Sequence, residues 1–93
     1  MTNQIEISGY EQDGHCEHCG RALRHCIRVS DGRIVGATCF DKVLTLPRIY
    51  HGKKYRIGSD NVIRYAKLRS RYNSAALQTN FGLSPHHFIF EVA

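Results

Sequence analysis

Hydrophobic and polar residues alternate in three short stretches of the chain, and this period of two predicts β-strands. The first stretch is residues 4–8, with Ile5 and Ile7 in alternation. The second is residues 22–29, and the third is residues 86–92 near the end of the sequence. We expect the last strand to complete a small sheet beside the first.

Turn residues predict two β-hairpins. Asp31-Gly32 is a strong signal for a two-residue hairpin turn, so residues 33–37 should form the strand that returns from it. Gly52 lies in the middle of residues 48–57, where aromatic and basic residues alternate. These residues predict a second hairpin that turns around Gly52.

A short helix should follow the first hairpin. Thr38 is suited to an N-cap, and Asp41 three positions later makes a variant of the capping box. The helix should have about two turns and end before Pro47, because a proline disfavours the helical conformation of the residue before it.

The longest predicted helix covers about residues 61–78. Ser59 or Asp60 is suited to its N-cap, and Gly82 lies shortly past its end. At 100° per residue, the apolar side chains fall on one broad arc. The residues of this arc are Val62, Ile63, Tyr65, Ala66, Leu68, Tyr72, Ala76 and Leu77.

These elements predict a single α+β domain over residues 1–93, because a chain of 93 residues rarely divides into two domains. The net charge of +5 favours an acidic partner, such as nucleic acid, an anionic surface or an acidic protein. The first residues have neither a basic segment nor an apolar run, so we expect no signal peptide. No apolar stretch of the sequence approaches the roughly 18–20 residues needed to span a bilayer, so we expect no membrane span and a cytoplasmic location.

The four cysteines, in the absence of secretion, are better candidates for metal ligands than for disulfides. Cys16 and Cys19 form a C-x-x-C motif in which two thiolates can bind one ion. Gly20 follows directly and permits the positive φ that such a turn needs. A redox motif, which is the alternative, would be expected near a βαβ pattern, and the sequence shows none.

The parts of a treble-clef zinc finger follow one another in this order: a C-x-x-C turn (the zinc knuckle), a hairpin and a helix with a cysteine in its first turn. The chain has the same order, with Cys39 as the helical cysteine. The segments CEHCGRAL (16–23) and VGATCFDKVL (35–44) resemble the short C-x-x-C-G-R-x-L … G-x-x-C zinc-finger proteins of bacteriophages and other mobile elements. This resemblance covers about a quarter of the chain and implies a treble-clef-like zinc-stabilised hairpin. The chain departs from that pattern at Lys42, where a treble clef has its last ligand.

The fourth ligand must therefore come from elsewhere, and Cys26 is the first candidate. A two-residue turn at Asp31-Gly32 would place Cys26 opposite Ala37, close to Cys39. A free, half-buried thiol at Cys26 is the alternative. Histidines are the other candidates: His25, His15, His18, His51, His86 and His87. We expect a structural zinc rather than an iron–sulfur centre, held by Cys16, Cys19, Cys26 and Cys39.

Basic residues are concentrated in the second half of the chain, where residues 48–71 contain one acid, Asp60. Tyrosines lie among these cations, and such a mixture favours binding of phosphates and stacking on unpaired bases. The alternative is an ordinary solvated helix face. The predicted binding residues are Arg48, Lys53, Lys54, Tyr55, Arg56, Arg64, Lys67 and Arg71.

Catalytic motifs are not evident. The serines lack a G-x-S-x-G context, and the full H-x-E … P-C-x-x-C signature of zinc deaminases does not occur. We therefore predict a binding protein that contacts nucleic acid or a nucleoprotein complex, and not an enzyme. The resemblance to phage proteins implies a further alternative, in which the chain binds and inhibits or redirects a host protein complex.

Overall fold

An α+β architecture with two antiparallel sheets and three α-helices is seen in the computed structural model, which describes residues 3–93. The predicted α+β class is therefore confirmed. In chain order the elements are β1 Gln4–His15, β2 Ala22–Val29, β3 Ile34–Gly36, α1 Ala37–Cys39, a π-helical turn Phe40–Leu44, β4 Arg48–Tyr50, β5 Lys53–Tyr55, α2 Ser59–Arg71, α3 Ser74–Phe81, a 3-10 turn Pro85–Phe88 and β6 Ile89–Glu91.

The main sheet has the strand order β3-β2-β1-β6, and α2 packs across it. Ile5 of β1 lies opposite Phe90 of β6, which confirms that the last strand lies beside the first. The rings of Phe40 and Phe90 meet edge to face in the core, with their centroids 5.0 Å apart. The other large core residues are Ile7, Ile27, Val29, Val35, Val62, Leu77 and Phe88.

Strand β1 extends beyond the predicted residues 4–8, and a β-bulge interrupts its alternation where the prediction ended. Ile7 lies opposite Val29, but Gly9 lies opposite Arg28, so that Ser8 is the extra residue. Beyond the bulge the alternation of the strand is shifted by one position. The simple period of two therefore ends at Ser8, although the strand itself continues to His15.

The bulge decides which side chains of β1 face α2. Residues that lie opposite each other in an antiparallel pair share a face of the sheet. Tyr10 lies opposite Ile27 and Gln12 lies opposite His25, so both follow the buried face of β2. An uninterrupted strand with Ile5 on this face would have turned Tyr10 toward the other side.

The loop between β2 and β3 is one residue longer than predicted. Arg28 lies opposite Ile34, and the Val29 backbone N–H donates to the Arg33 carbonyl at 3.1 Å. Three residues therefore form the loop, and Gly32 has the positive φ of +94° that a third loop residue requires. As a result, Cys26 lies opposite Gly36 instead of Ala37.

Neither predicted side-chain N-cap is formed. Helix α1 begins one residue before Thr38, and its N-cap is Gly36. Helix α2 begins at Ser59, so neither Ser59 nor Asp60 caps it; its N-cap is Gly58, which has a φ of +90°. The helical segment that contains Cys39 ends at Leu44, before the proline, as predicted.

The long predicted helix is divided in two. Tyr72 is extended, with φ −126° and ψ 145°, and ends α2. Asn73 then caps α3, since its Oδ1 accepts a hydrogen bond from the Ala76 N–H at 2.8 Å. Gly82 ends α3 in the left-handed conformation, in agreement with its predicted position past a helix end.

The second hairpin is present as predicted, with β4 and β5 paired and Gly52 in the turn at φ +75°. The terminal strand is shorter than the predicted residues 86–92, because a 3-10 turn precedes it. The His87 Nδ1 accepts from the Ser84 backbone N–H at 3.1 Å and closes this turn. Among residues 3–93, no helix combines the length and apolar character needed to cross a bilayer.

Candidate metal centre and basic groove

Three cysteines form a cluster at one edge of the main sheet. Cys16 and Cys19 lie in the loop between β1 and β2, and Cys39 is the last residue of α1. Their Sγ atoms all lie within 4.8 Å of one another. Cys16 is buried, Cys39 is partly buried and Cys19 is exposed, so the cluster reaches from the core to the surface.

Backbone hydrogen bonds hold the loop that carries the first two cysteines. The Cys16 N–H donates to the Arg21 carbonyl at 2.9 Å, and the Gly20 N–H donates to the Cys16 carbonyl at 2.7 Å. Gly20 has a φ of +78°, which confirms the positive φ predicted for this position. The sequence therefore folds locally so that Cys16 and Cys19 point to one place.

The pKa values show that the cluster favours one thiolate but resists three. Burial would raise the pKa of Cys16, but backbone hydrogen bonds from Gly36, Cys19 and His18 lower it to about 7. Burial raises the pKa of Cys39 to about 12, together with hydrogen bonding to Cys19 and Cys16 and the charge of those thiolates. A divalent cation would relieve this repulsion, because thiolates bind metal ions in the deprotonated form.

The cluster fits a metal ion by distance and by chemistry. Two sulfurs bound to one tetrahedral zinc ion at about 2.3 Å each lie about 3.8 Å apart. The observed upper separation of 4.8 Å requires only a small closing movement of the thiols. A set of three thiolates suits zinc and other thiophilic metals, and does not suit magnesium or calcium.

Cys26 does not join this cluster in the part of the chain that the structure describes. Cys26 lies opposite Gly36, and its Sγ lies beside Gly14 and 3.9 Å from the Leu23 carbonyl oxygen. Burial raises the pKa of the Cys26 thiol, as expected for a cysteine that serves in packing. None of the candidate histidines joins the three cysteines among the described residues either.

A groove of about 800 Å³ lies between α2 and the strands β1 and β2, and we call it the basic groove. Three of the predicted binding residues line it, and all three are exposed residues of α2. Aromatic side chains form the other walls. The residues that line the basic groove are Arg64, Lys67, Arg71, Tyr10, His25, Tyr72 and Phe81, together with Gln12, Asp60, Ile63, Leu68 and Ser70.

The sheet side of the basic groove is formed by Tyr10 and His25. The Tyr10 hydroxyl is hydrogen-bonded to Nδ1 of His25, which fixes the orientation of both rings. The Nζ of Lys67 lies 5.4 Å from the centre of the Tyr10 ring, a distance that permits a cation–π interaction. The wall opposite α2 is therefore aromatic and ordered rather than charged.

Two of the predicted binding arginines support the fold instead. Arg48 donates to the carbonyls of His87 at 2.7 Å and of Ile89 at 3.2 Å, and its guanidinium lies 4.2 Å from the centre of the Phe90 ring. Arg56 donates to the carbonyl of Asp41 in the π-helical turn and, at 3.2 Å, to that of Thr45 just after this turn. The structure thus connects both arginines to neighbouring backbone, and neither of them lines the basic groove.

The remaining hairpin residues do not line the basic groove within the described part of the chain. Lys53, Lys54 and Tyr55 are exposed on β5. The structure therefore separates the predicted binding residues into two surfaces. Arg64, Lys67 and Arg71 share the basic groove, whereas the hairpin presents its lysines elsewhere.

A second cavity, of about 570 Å³, connects the cysteine cluster with the basic groove. Cys19 and Cys39 line this cavity. His25 and Ile63 line both the second cavity and the basic groove, so that the two are neighbours on the same side of the sheet. A metal ion at the cysteine cluster would therefore stabilise the strands that carry one wall of the basic groove.

The sequence interpretation did not identify Tyr10, His25 and Phe81 as groove residues. Tyr10 reaches the groove only because of the bulge at Ser8, and a lone serine before glycine is a weak signal for a bulge. Phe81 and Tyr72 come together, with ring centroids 5.1 Å apart, because the helix breaks between them. The signal for that break was Asn73, which is a favourable N-cap residue.

Comparison of the chain with protein-family models, with curated proteins and with solved structures gives no significant match. The resemblance of residues 16–23 and 35–44 to phage zinc-finger proteins therefore stays a prediction. The function proposed below rests on the geometry of the cysteine cluster and the basic groove.

Proposed function

We propose that this protein is a zinc-stabilised module that binds nucleic acid through its basic groove. The observation that supports this proposal best is the convergence of Arg64, Lys67 and Arg71 on a groove with aromatic walls. Cations supply the phosphate contacts that dominate nucleic-acid affinity, and aromatic rings supply stacking surfaces for bases. This combination serves binding, and the proposal includes no catalytic step.

The metal in this proposal is a structural zinc ion held by Cys16, Cys19 and Cys39. Zinc is the metal that cysteine thiolates most often bind in structural sites, where it is four-coordinate, so the three cysteines leave one position for a fourth ligand. The order of a knuckle, a hairpin and a helix-borne cysteine supports a treble-clef-like interpretation of this region. In such a site the zinc ion would connect the loop after β1 to α1 and so fix the edge of the sheet.

The cations of α2 are spaced in a way that suits a polyanion. Arg64, Lys67 and Arg71 follow one another at intervals of three and four residues, which places them in a row along one side of the helix. At about 1.5 Å per residue, the row is about 10 Å long. A row of this kind follows an extended phosphate backbone better than it binds a single small anion.

Replacing individual cysteines should separate the metal ligands from the packing cysteine. We expect Cys19→Ser to lose the bound metal, because Cys19 is one of the three clustered thiols and is exposed. Cys26→Ser should keep about one metal ion per chain, because Cys26 lies outside the cluster. Metal content by mass spectrometry of the intact native protein, and the visible spectrum of the cobalt-substituted protein, provide the measurements. Loss of metal from Cys26→Ser with retention in Cys19→Ser would contradict this ligand assignment.

The proposed function is tested by the salt dependence of binding to a labelled oligonucleotide. Three phosphate contacts should give a slope of log affinity against log salt of about −2 to −3. Fluorescence anisotropy between low and physiological salt measures this slope directly. Absence of binding at low salt, or affinity independent of salt, would contradict the proposal.

A second candidate function is supported by the surface of the β4–β5 hairpin. Ile49 and Tyr50 are 70% and 65% exposed, and Leu46 is also exposed nearby. Exposed apolar residues beside Lys53 and Lys54 suit an acidic protein partner, such as the host complex implied by the phage resemblance. Binding that survives nuclease treatment, changes little with salt and is lost in Ile49→Asp would favour this second candidate.

A further inference from the structure

We infer that the occupant of the basic groove is single-stranded nucleic acid, with one unpaired base stacked on the pair of rings formed by Tyr72 and Phe81. This inference rests on the proposed function and specifies the strand type and the residues that contact the base. It is supported by the position of the aromatic pair, by the shape of the groove and by the direction in which the cations of α2 point.

The aromatic pair is exposed and fixed in place. Tyr72 and Phe81 are 38% and 41% exposed, with ring centroids 5.1 Å apart and planes inclined at 57°. Tyr72 lies at the break between α2 and α3, and Phe81 is the last residue of α3. A fixed aromatic surface of this kind at one end of a groove is suited to stacking with a base.

The cations direct a strand toward that surface. Arg71 directly precedes Tyr72 in the chain, and Lys67 lies about one helical turn before Arg71. A phosphate bound at Arg71 would leave its base next to the ring of Tyr72. Tyr10 and His25 on the opposite wall then offer a second aromatic surface for the next nucleotide.

The shape of the groove favours a single strand over a duplex. The cationic side of α2 forms one wall of the groove, with β1 and β2 opposite, so this side is not free to enter the wide groove of a double helix. Bases within a duplex are stacked on each other and are not free to stack on the rings of Tyr72 and Phe81. A volume of about 800 Å³ lies within the range of small-ligand sites, which suits one or two extended nucleotides.

The test compares Tyr72→Ala and Tyr72→Phe in binding to a labelled oligo(dT) of about 15 nucleotides. We expect Tyr72→Ala to bind about 5- to 150-fold more weakly, since the loss of one base–aromatic stacking contact costs about 1–3 kcal/mol. Tyr72→Phe should bind like the unchanged protein, because the ring is retained. Phe81→Ala, which removes the other ring, should weaken binding in the same direction.

The slope of log affinity against log salt concentration distinguishes the loss of a stacking contact from the loss of a phosphate contact. Tyr72→Ala should leave this slope unchanged, because it removes no phosphate contact, whereas Lys67→Gln should reduce it by about one unit. Thermal melting of each variant, followed by circular dichroism, excludes unfolding as the cause. The same oligo(dT) annealed to its complement should bind at least about tenfold more weakly than the single strand.

The possible outcomes separate this inference from the proposed function. If Lys67→Gln weakens binding but folded Tyr72→Ala and Phe81→Ala do not, nucleic-acid binding stands and the stacking inference is wrong. Equal or tighter binding of the duplex also overturns the inference. If neither strand type binds and an acidic polypeptide such as polyglutamate does, both the inference and the proposed function fail.

Discussion

An excess of a metal chelator should unfold this chain. Structural zinc contributes about 10–16 kcal/mol of apparent binding free energy in small domains, whereas a typical domain is stable by only about 5–15 kcal/mol. The chain has 93 residues, so its core alone supplies little reserve. The cysteine cluster connects the loop after β1 to α1, and both segments contribute to the central core through Cys16 and Ala37.

Loss of the metal should therefore affect the whole domain and not only the edge of the sheet. Without the cation, Cys39 would keep its proton near neutral pH, because its pKa is raised to about 12, and no metal–sulfur bonds would join α1 to the loop after β1. We expect the cooperative thermal transition seen by circular dichroism to disappear in chelator and to return when zinc is added. Removal of zinc should also restore ordinary reactivity to thiols that were protected by coordination.

Cys19→Ser gives the same test without chelator. Because Cys19 is exposed, its replacement removes one thiol of the cluster but almost no buried surface, so we expect any large loss of stability to come from lost metal binding. Cys26→Ser is the control, since Cys26 is buried but lies outside the cluster, and it should keep the transition with a loss of about 1–2 kcal/mol. A protein that melts cooperatively at an unchanged temperature in excess chelator would show that the metal is not structural.

Reversing the charge of the basic groove should abolish binding of nucleic acid. The triple variant Arg64→Glu, Lys67→Glu and Arg71→Glu replaces three groove cations by anions on one side of α2. Each lost contact removes counterion release, and each new carboxylate repels the phosphates. We expect affinity for a single-stranded oligonucleotide to fall by at least about 100-fold at moderate salt.

A matched variant controls for net charge. Lys42→Glu, Lys53→Glu and Lys54→Glu make the same change of net charge at exposed residues that do not line the basic groove. This control should bind within a few-fold of the unchanged protein, because only long-range attraction is reduced. If the control loses binding and the groove variant retains it, the hairpin and not the basic groove is the nucleic-acid surface.

Features that depend on a local pattern or on one residue could be predicted. They are the α+β class, the second hairpin, the pairing of the terminal strands and the positive φ of Gly20. Turn and strand signals act over a few residues, and the sheet edge at Ile5 and Phe90 follows from two apolar alternating segments. The cations of α2 were predicted together because a helix places residues three and four apart on one side.

The details that could not be predicted depend on single-residue shifts. One extra residue in β1 moved Tyr10 to the face of α2, and one extra residue in the β2–β3 loop placed Cys26 opposite Gly36 instead of Ala37. Periodicity does not record such insertions, because the alternation on each side of them is intact. Arg48 and Arg56 illustrate a second limit, since charge counting cannot distinguish a cation that binds a partner from one that binds a backbone carbonyl.

The most direct test of a zinc-stabilised groove that binds nucleic acid is an NMR titration of the zinc-loaded, ¹⁵N-labelled protein with a single-stranded oligonucleotide. The expected result is that amide signals of Tyr10, His25, Lys67 and Tyr72 shift progressively, whereas those of Lys53 and Lys54 on the hairpin remain in place. Signals that do not move, or shifts confined to the hairpin, would contradict the assignment of the basic groove as the binding site.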